Sequence, residues 1–339
     1  MTKFTLITFL ISFLVSLICL PICRFLAIKY RILDRPNTDI KTHKKTTPYL
    51  GGVAIWLGWI AGLLFARLTT NFPTGTLTSL RGIIVGSSFI ALIGLIDDIV
   101  PGGLHFSQKF VLDIIATFFL ILYHIRIRFI QPDYLAVVIT FFWVVGITNA
   151  FNIIDIMDGL SSSTALVASL AFLFISFPTE QFYVNLCAAA LAGALLAFIP
   201  FNLSHRRKIF MGDTGSLTIG FILSALSLGT TYTHINNIGI FAPILILAIP
   251  IFDTFLVIYA RWRKGQLPFL GSKDHYALRL EKMGYSRRQI LLFTIIANII
   301  LAEFAYLVIN LSWQYSLIVY GLTLAAALGL ARRLLRVSI

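Results

Sequence analysis

Acidic residues are scarce in this chain: Asp and Glu number 14 of 339, against 27 Lys and Arg. All charged residues together make 12% of the sequence, and hydrophobic residues 58%. Soluble domains carry about 25% charged residues. An ordinary soluble globular protein is therefore excluded, in line with a mean hydropathy of +0.90. Cysteine is almost as rare. Cys19, Cys23 and Cys187 all lie in apolar runs, and no His or second Cys pair accompanies the first two. That favours packed thiols over a zinc site or a disulfide. No fixed-period repeat and no low-complexity tract occurs, so solenoids and long linkers drop out as well.

Apolar runs long enough to cross a bilayer fill the chain. Eleven stretches approach the roughly 20 residues a span needs: 4–26, 50–68, 81–97, 108–124, 133–149, 159–177, 182–200, 215–232, 238–260, 289–310 and 313–331. The first, after Lys3, exceeds the 7–15 residues of a signal-peptide core and runs into a basic stretch, so it reads as a retained span. Basic residues then orient the bundle. Lys29, Arg31, Arg35, Lys41, Lys44 and Lys45, then Arg206–Lys208, then Arg261 to Arg288, then Arg332, Arg333 and Arg336 fall on one side of eleven spans. The positive-inside rule makes that side cytoplasmic. The expected fold class is an all-α polytopic membrane helix bundle, one domain over 1–339, with a cytoplasmic loop at 261–288. Its N-terminus is outside and its C-terminus inside. The net charge of +13 follows from this bias and from attraction to anionic headgroups. It does not imply a nucleic-acid partner.

The few acids are not scattered. Asp97 and Asp98 end the third run in "LIGLIDDI". Asp155 and Asp158 lie in "NAFNIIDIMDGL", and Asp213 in "IFMGDTGSL" just before the eighth run. Asp253 is inside the ninth run and Asp274 in the long loop. Any one of these could be a helix cap. Asp97 and Asp98, however, stand at a helix C-terminus, where the macrodipole disfavours anions. They call for cations, and Lys109, the first-loop lysines or a metal could serve. On a helix, Asn152, Asp155 and Asp158 at a spacing of three would share a face. Hard oxygen ligands at one membrane face, surrounded by Lys and Arg, suit Mg²⁺ (or Mn²⁺) and phosphate or diphosphate substrates. Two rival classes remain. A transporter would place its acids near the midplane on broken helices. An intramembrane aspartyl protease would pair Asp213 with Asp253, but its G-x-G-D motif is absent.

These stretches resemble the polyprenyl-phosphate hexose-1-phosphate transferases, integral membrane enzymes that include N-acetylglucosamine-1-phosphate and muramoyl-pentapeptide transferases. The likeness runs from "DRPNTDIKTHKKTTPYLGGVAI" to "DHYALRLEKMGYSRRQ" and rests on "H…TP.LGG", "LIDD", "NAFNIIDIMDGL" and "FMGDTGSL" in that order. It implies transfer of a sugar-1-phosphate from a UDP-sugar to undecaprenyl or another polyprenyl phosphate, with UMP released. The implied place is the cytoplasmic face of the bacterial inner membrane, in contact with membrane lipid; a homodimer is compatible with it. It further implies that Asp213 is the principal Mg²⁺ ligand, with Asp155 beside it. Asp97 and Asp98 would position metal or take a proton from the lipid phosphate. Asn152 and Asp155 would line the nucleotide-diphosphate cleft, Asp158 would be the second acid of that motif, and Asp155 and Asp158 would be catalytic with Asp97 and Asp98. Lys109 would face the cleft, and Lys41, His43 and His275 would bind substrate. The family's clustered histidines are missing at Ala277 and Leu278, where only His275 precedes them. That departure favours an N-acetylhexosamine-type sugar over the pentapeptide substrate.

Overall fold

The computed structural model describes residues 2–36, 45–70, 72, 75–178, 181–233, 235–267, 271–337 and 339. The fold is all-α. In hydrocarbon every backbone N–H and C=O must be bonded internally, and a helix does so within one segment. The helices are α1 (Thr2–Lys29), α2 (Gly51–Thr69), α3 (Thr76–Ile99), α4 (Phe106–Leu122), α5 (Asp133–Ile154), α6 (Leu160–Ser176), α7 (Phe182–Asn202) and α8 (Gly212–Gly229). They continue with α9 (Ala242–Ile246), α10 (Ala248–Arg263), α11 (Tyr276–Lys282), α12 (Arg287–Asn310) and α13 (Trp313–Leu334). Two short strands, β1 (Leu33–Asp34) and β2 (Thr47–Pro48), pair antiparallel, with Leu33 opposite Pro48.

All eleven apolar stretches contain helix, but they are not eleven equivalent spans. Seven helices (α1, α2, α3, α5, α7, α12 and α13) are long and apolar enough to cross a membrane. The ninth stretch is bent: Asn237–Ile246 and Ala248–Arg263 meet at 69°, and counting that pair as one span gives up to eight. Pro250 sits in the first turn of α10 and has no N–H to give the carbonyl of Ile246, so the helix cannot run straight through. The 17-residue α6 is apolar but shorter.

The chain packs as two compact units, the first ending at Thr230. In the first, α7 is the central helix, with 83% of its most apolar window buried. Its "CAAALAGALLAF" run lets neighbours approach closely. Helix α1 packs on α2 and α7. It turns Thr5, Thr8, Ser12 and Ser16 inward at helical spacing. Gly58 and Gly62 of α2 meet Ser16 and Ser12 so closely that a Cβ would lie 1.9 and 2.1 Å from their Oγ atoms. Lipid tails are as apolar as Leu, so close packing of small residues is what holds such helices together. Helix α8 packs against α2, α3 and α5. The cysteines lie within helices as free thiols, Cys23 and Cys187 buried and Cys19 half-buried. In the second unit α13 is nearly bare, with 6% of its window buried.

Candidate active site

The "TPYLGG" stretch works as a clamp on the "FMGD" loop. Phe210 N donates to Pro48 O at 2.9 Å, while Gly51 N and Gly52 N donate to Phe210 O and Met211 O, each at 2.9 Å. The first N–H groups of a helix have no partner within it. Here the two that open α2 are spent on the loop that leads into α8. The helices touch backbone to backbone at this point: a Cβ on Gly52 would lie 2.1 Å from Gly215 N.

Asp98 finds its positive charge in an unexpected place. Oδ1 accepts from Asp213 N at 2.8 Å, and Oδ2 accepts from Thr214 N at 3.1 Å and Thr214 Oγ1 at 2.6 Å. The carboxylate that ends α3 therefore caps the N-terminus of α8, where orphan N–H groups and the macrodipole favour an anion. The sequence calls for cations at both acids; for Asp98 the structure supplies a helix end instead. Neither Asp213 nor Asp158 is itself a helix N-cap. Asp213 lies inside the first turn of α8, and the residue capping α6 is Gly159, with no side-chain cap bond. Gly212 has φ +66°, and a Cβ there would lie 2.4 Å from Asp98 Oδ2, so only glycine fits the turn.

Asp97 does meet a cation. Its Oδ1 accepts from Leu104 N at 2.6 Å and lies 2.9 Å from Lys109 Nζ. The same ammonium is 2.5 Å from Asp213 Oδ2. Asn152 Nδ2 donates to Asp213 Oδ1 at 2.9 Å and to Ser216 Oγ at 3.0 Å. Four elements (α3, α4, α5 and α8) thus converge on Asp213.

The "NAFNIIDIMDGL" stretch does not form one helical face. Helix α5 stops at Ile154 and Asp155 is its C-cap, with ψ +52°. The chain then turns, and Gly159 at φ +78° starts α6. Asn152 is helical, while Asp155 and Asp158 lie on the turn. Burial, together with the charges of Asp213, Asp158 and Asp98, pushes the Asp155 carboxyl up to about 8. Asp158 Oδ2 pairs with Lys208 Nζ at 2.5 Å. Asn202 holds both sides of this turn, accepting from Gly159 N at 2.6 Å and donating to Ile209 O at 3.1 Å. Lys208 and Asn202 escaped the sequence reading, Lys208 because it sits in a basic run that reads as topology. Asp113 escaped too. It is buried in α4 and accepts from Asn149 Nδ2 at 2.8 Å. Its only sequence signal was an acid in the middle of an apolar run.

His275 belongs to the second unit and is 5% exposed, so it is no solvated loop residue. Its Nδ1 lies 2.7 Å from Asp253 Oδ2, and Asp253 Oδ1 accepts from Tyr276 N at 2.8 Å. Both oxygens of Asp253 are thereby engaged. Two basic residues of this segment, Lys264 and Arg279, are tied down as well. Arg279 donates to Asp274 Oδ1 at 2.5 Å and to the carbonyls of Leu334 and Val337 at 3.1 and 2.7 Å. Burial alone would raise the Asp274 carboxyl, but hydrogen bonds from Lys264 and Ser272 and the Lys264 and Arg279 charges hold it below the usual range. Replacing His275 by Ala leaves Asp253 with a buried, unpartnered oxygen. A loss of about 1–3 kcal/mol is expected, seen as a lower melting temperature in detergent. An unchanged melting curve would mean that Asp253 does not need the imidazole. Lys41 and His43 lie outside the described residues.

Asp97, Asp98 and Asp213 each offer a carboxylate oxygen within 4.8 Å of the others. Such a set of hard oxygens fits Mg²⁺ or Mn²⁺, which prefer carboxylate, water and phosphate oxygens. Asp155 stands outside this trio, and its raised carboxyl is short of positive charge.

The family profile described as glycosyl transferase family 4 matches residues 80–231. A Bacillus subtilis (strain 168) protein named as a probable undecaprenyl-phosphate N-acetylglucosaminyl 1-phosphate transferase is 32% identical over 291 residues, 83% of this chain and 78% of that protein. The chain belongs to glycosyl transferase family 4. A decaprenyl-phosphate N-acetylglucosaminephosphotransferase of Mycolicibacterium smegmatis is 31% identical over 79% of this chain and 73% of its own length. A phospho-N-acetylmuramoyl-pentapeptide-transferase of Streptococcus agalactiae is 31% identical over 64% of this chain and 70% of its own. The span matched by the family profile contains Asp97, Asp98, Lys109, Asn152, Asp155, Asp158 and Asp213; Lys41, His43 and His275 fall outside it.

Proposed function

We propose that this membrane protein transfers an N-acetylhexosamine 1-phosphate from a UDP-sugar to a polyprenyl phosphate such as undecaprenyl phosphate. An oxygen of the lipid phosphate attacks the phosphorus that bears the sugar. The phosphoanhydride bond to the nucleotide breaks, and UMP leaves with the electron pair. The observation that carries this reading is the convergence of Asp97, Asp98 and Asp213 with Lys109 and Asn152. The names and coverage of the N-acetylglucosamine-type relatives support it. So does the lone His275, where the pentapeptide pattern has adjacent histidines.

Mg²⁺, when bound, supplies charge neutralisation for the diphosphate. Asp97, Asp98 and Asp213 would hold it. The protein's own share of catalysis is positioning and electrostatics. Asp98, with both oxygens on the start of α8, acts through Asp213 by fixing the backbone that carries it. Asn152 orients the Asp213 carboxylate by donating to Oδ1. Lys109 brings a positive charge to the site at which two anionic substrates meet. A phosphate dianion is already nucleophilic at pH 7, so attack needs no carboxylate base. Assignment of His275, Lys41 and His43 to substrate binding rests on the family resemblance.

The positive-inside bias supports an active site on the cytoplasmic face of a bacterial inner membrane. The test is purified protein with undecaprenyl phosphate and radiolabelled UDP-N-acetylglucosamine or other UDP-N-acetylhexosamines. A lipid-linked sugar and stoichiometric UMP are expected, and sealed vesicles should accept the UDP-sugar from the cytoplasmic side alone. Failure of every UDP-N-acetylhexosamine to label lipid would sink the reading, and turnover from the opposite side would sink the topology.

A further inference from the structure

Lys109 stands among the carboxylates that a divalent ion would need. Its Nζ lies against Asp97 Oδ1 at 2.9 Å and Asp213 Oδ2 at 2.5 Å, two of the three acids of the candidate metal group. An ammonium and a divalent ion on the same two oxygens repel each other. One helical turn further along α4, Asp113 is 1% exposed. Its Oδ2 accepts from Asn149 Nδ2 at 2.8 Å, while its Oδ1 is buried with no hydrogen-bond partner among the described residues. Helix side chains four apart share a face, and each leans toward the N-terminal turn, so Asp113 leans toward Lys109. A buried carboxylate oxygen without a partner is costly. One turn away on the same helix is the Lys109 ammonium, on a long flexible stem, whereas the Thr117 hydroxyl is spent on the Asp113 carbonyl.

We propose that Lys109 changes partners when metal binds, moving from Asp97 and Asp213 to Oδ1 of Asp113. The divalent ion then neutralises the trio, and the displaced ammonium meets a carboxyl oxygen that had no hydrogen-bond partner among the described residues. Neither charge is left buried and alone, the outcome that makes breaking a buried pair so costly. Asn149 supports the exchange by engaging one oxygen of Asp113 and leaving the other available. Asp113 is thus a positioning residue acting through Lys109. The proposal rests on the assignment of Asp97, Asp98 and Asp213 to the metal.

The test is Mn²⁺ binding to the full-length protein in detergent, read from the electron paramagnetic resonance of free Mn²⁺. Wild type should bind Mn²⁺ and Asp213→Asn should not. Asp113→Asn, which keeps the shape of the side chain, should bind about tenfold more weakly, the scale of one lost charge-assisted contact. Lys109→Met removes the competing ammonium and should bind at least as tightly as wild type. Adding Asp113→Asn to Lys109→Met should cost nothing more. Wild-type affinity in Asp113→Asn, or weakened binding in Lys109→Met, overturns the exchange and leaves the metal site standing. An equal loss from Asp113→Asn on both backgrounds shows a merely structural tie to Asn149 and also overturns it. Wild-type binding no stronger than that of Asp213→Asn overturns the metal site and the exchange together.

Discussion

Asp213→Asn should lower turnover about 1,000-fold while leaving expression and membrane insertion intact. The carboxylate takes a hydrogen bond from Asn152 on one oxygen and the Lys109 ammonium on the other, and it is one of the three clustered acids. An amide removes the charge from the trio and turns an N–H₂ toward groups that are themselves donors. Losing one preorganised electrostatic contact at a reacting centre costs about 100- to 1,000-fold in rate; here a candidate ion ligand and a lysine partner go together, so the upper end is expected. The fold is spared because the N–H of residue 213, not its side chain, meets Asp98. The measurement is the rate of lipid-linked sugar formation at saturating Mg²⁺, with membrane content checked by immunoblot. Turnover within a few fold of wild type would remove Asp213 from the centre of the site.

Gly52→Ala should be the most damaging single methyl group in the first unit. Its Cβ would lie 2.1 Å from Gly215 N and 2.5 Å from Gly215 Cα, both backbone atoms that no rotamer change can move. The N–H of Gly52 also bonds Met211 O, so parting α2 from α8 shifts the turn that carries Asp213. Overpacking of this kind costs about 1–3 kcal/mol, and a displacement of about 1 Å at a reacting centre can cost 100-fold in rate. Gly146→Ala is the matched control. A Cβ there meets nothing within 4 Å, and it lies within α5, where Ala is the better helix former. The first variant should melt lower and turn over poorly, and the second should match wild type in both. Equal behaviour of the two would mean that the α2–α8 contact does not hold the site.

What the sequence determined by itself was the class of the protein and the candidates for its chemistry-bearing residues. Apolar runs force helices because hydrocarbon offers no partner to a backbone amide, and acids are so costly there that the few retained stand out. Asp97, Asp98 and Asp213 were legible for that reason, Asn152 by its helical spacing to Asp155, and Lys109 as the basic residue beside them. Pairings were not legible, because they join residues far apart in the chain. That Asp98 caps α8, 115 residues away, follows from α3 and α8 lying side by side. Helical spacing of three placed Asn152, Asp155 and Asp158 on one face, yet the helix ends at Ile154 and a left-handed Gly159 begins a new one. A buried Asp113 reads as one more isolated acid until Asn149 is seen against it. The tertiary structure alone decided which carboxylates share a cation and which meet a helix end, because charge energies depend on distance and burial, and both are set by how helices pack.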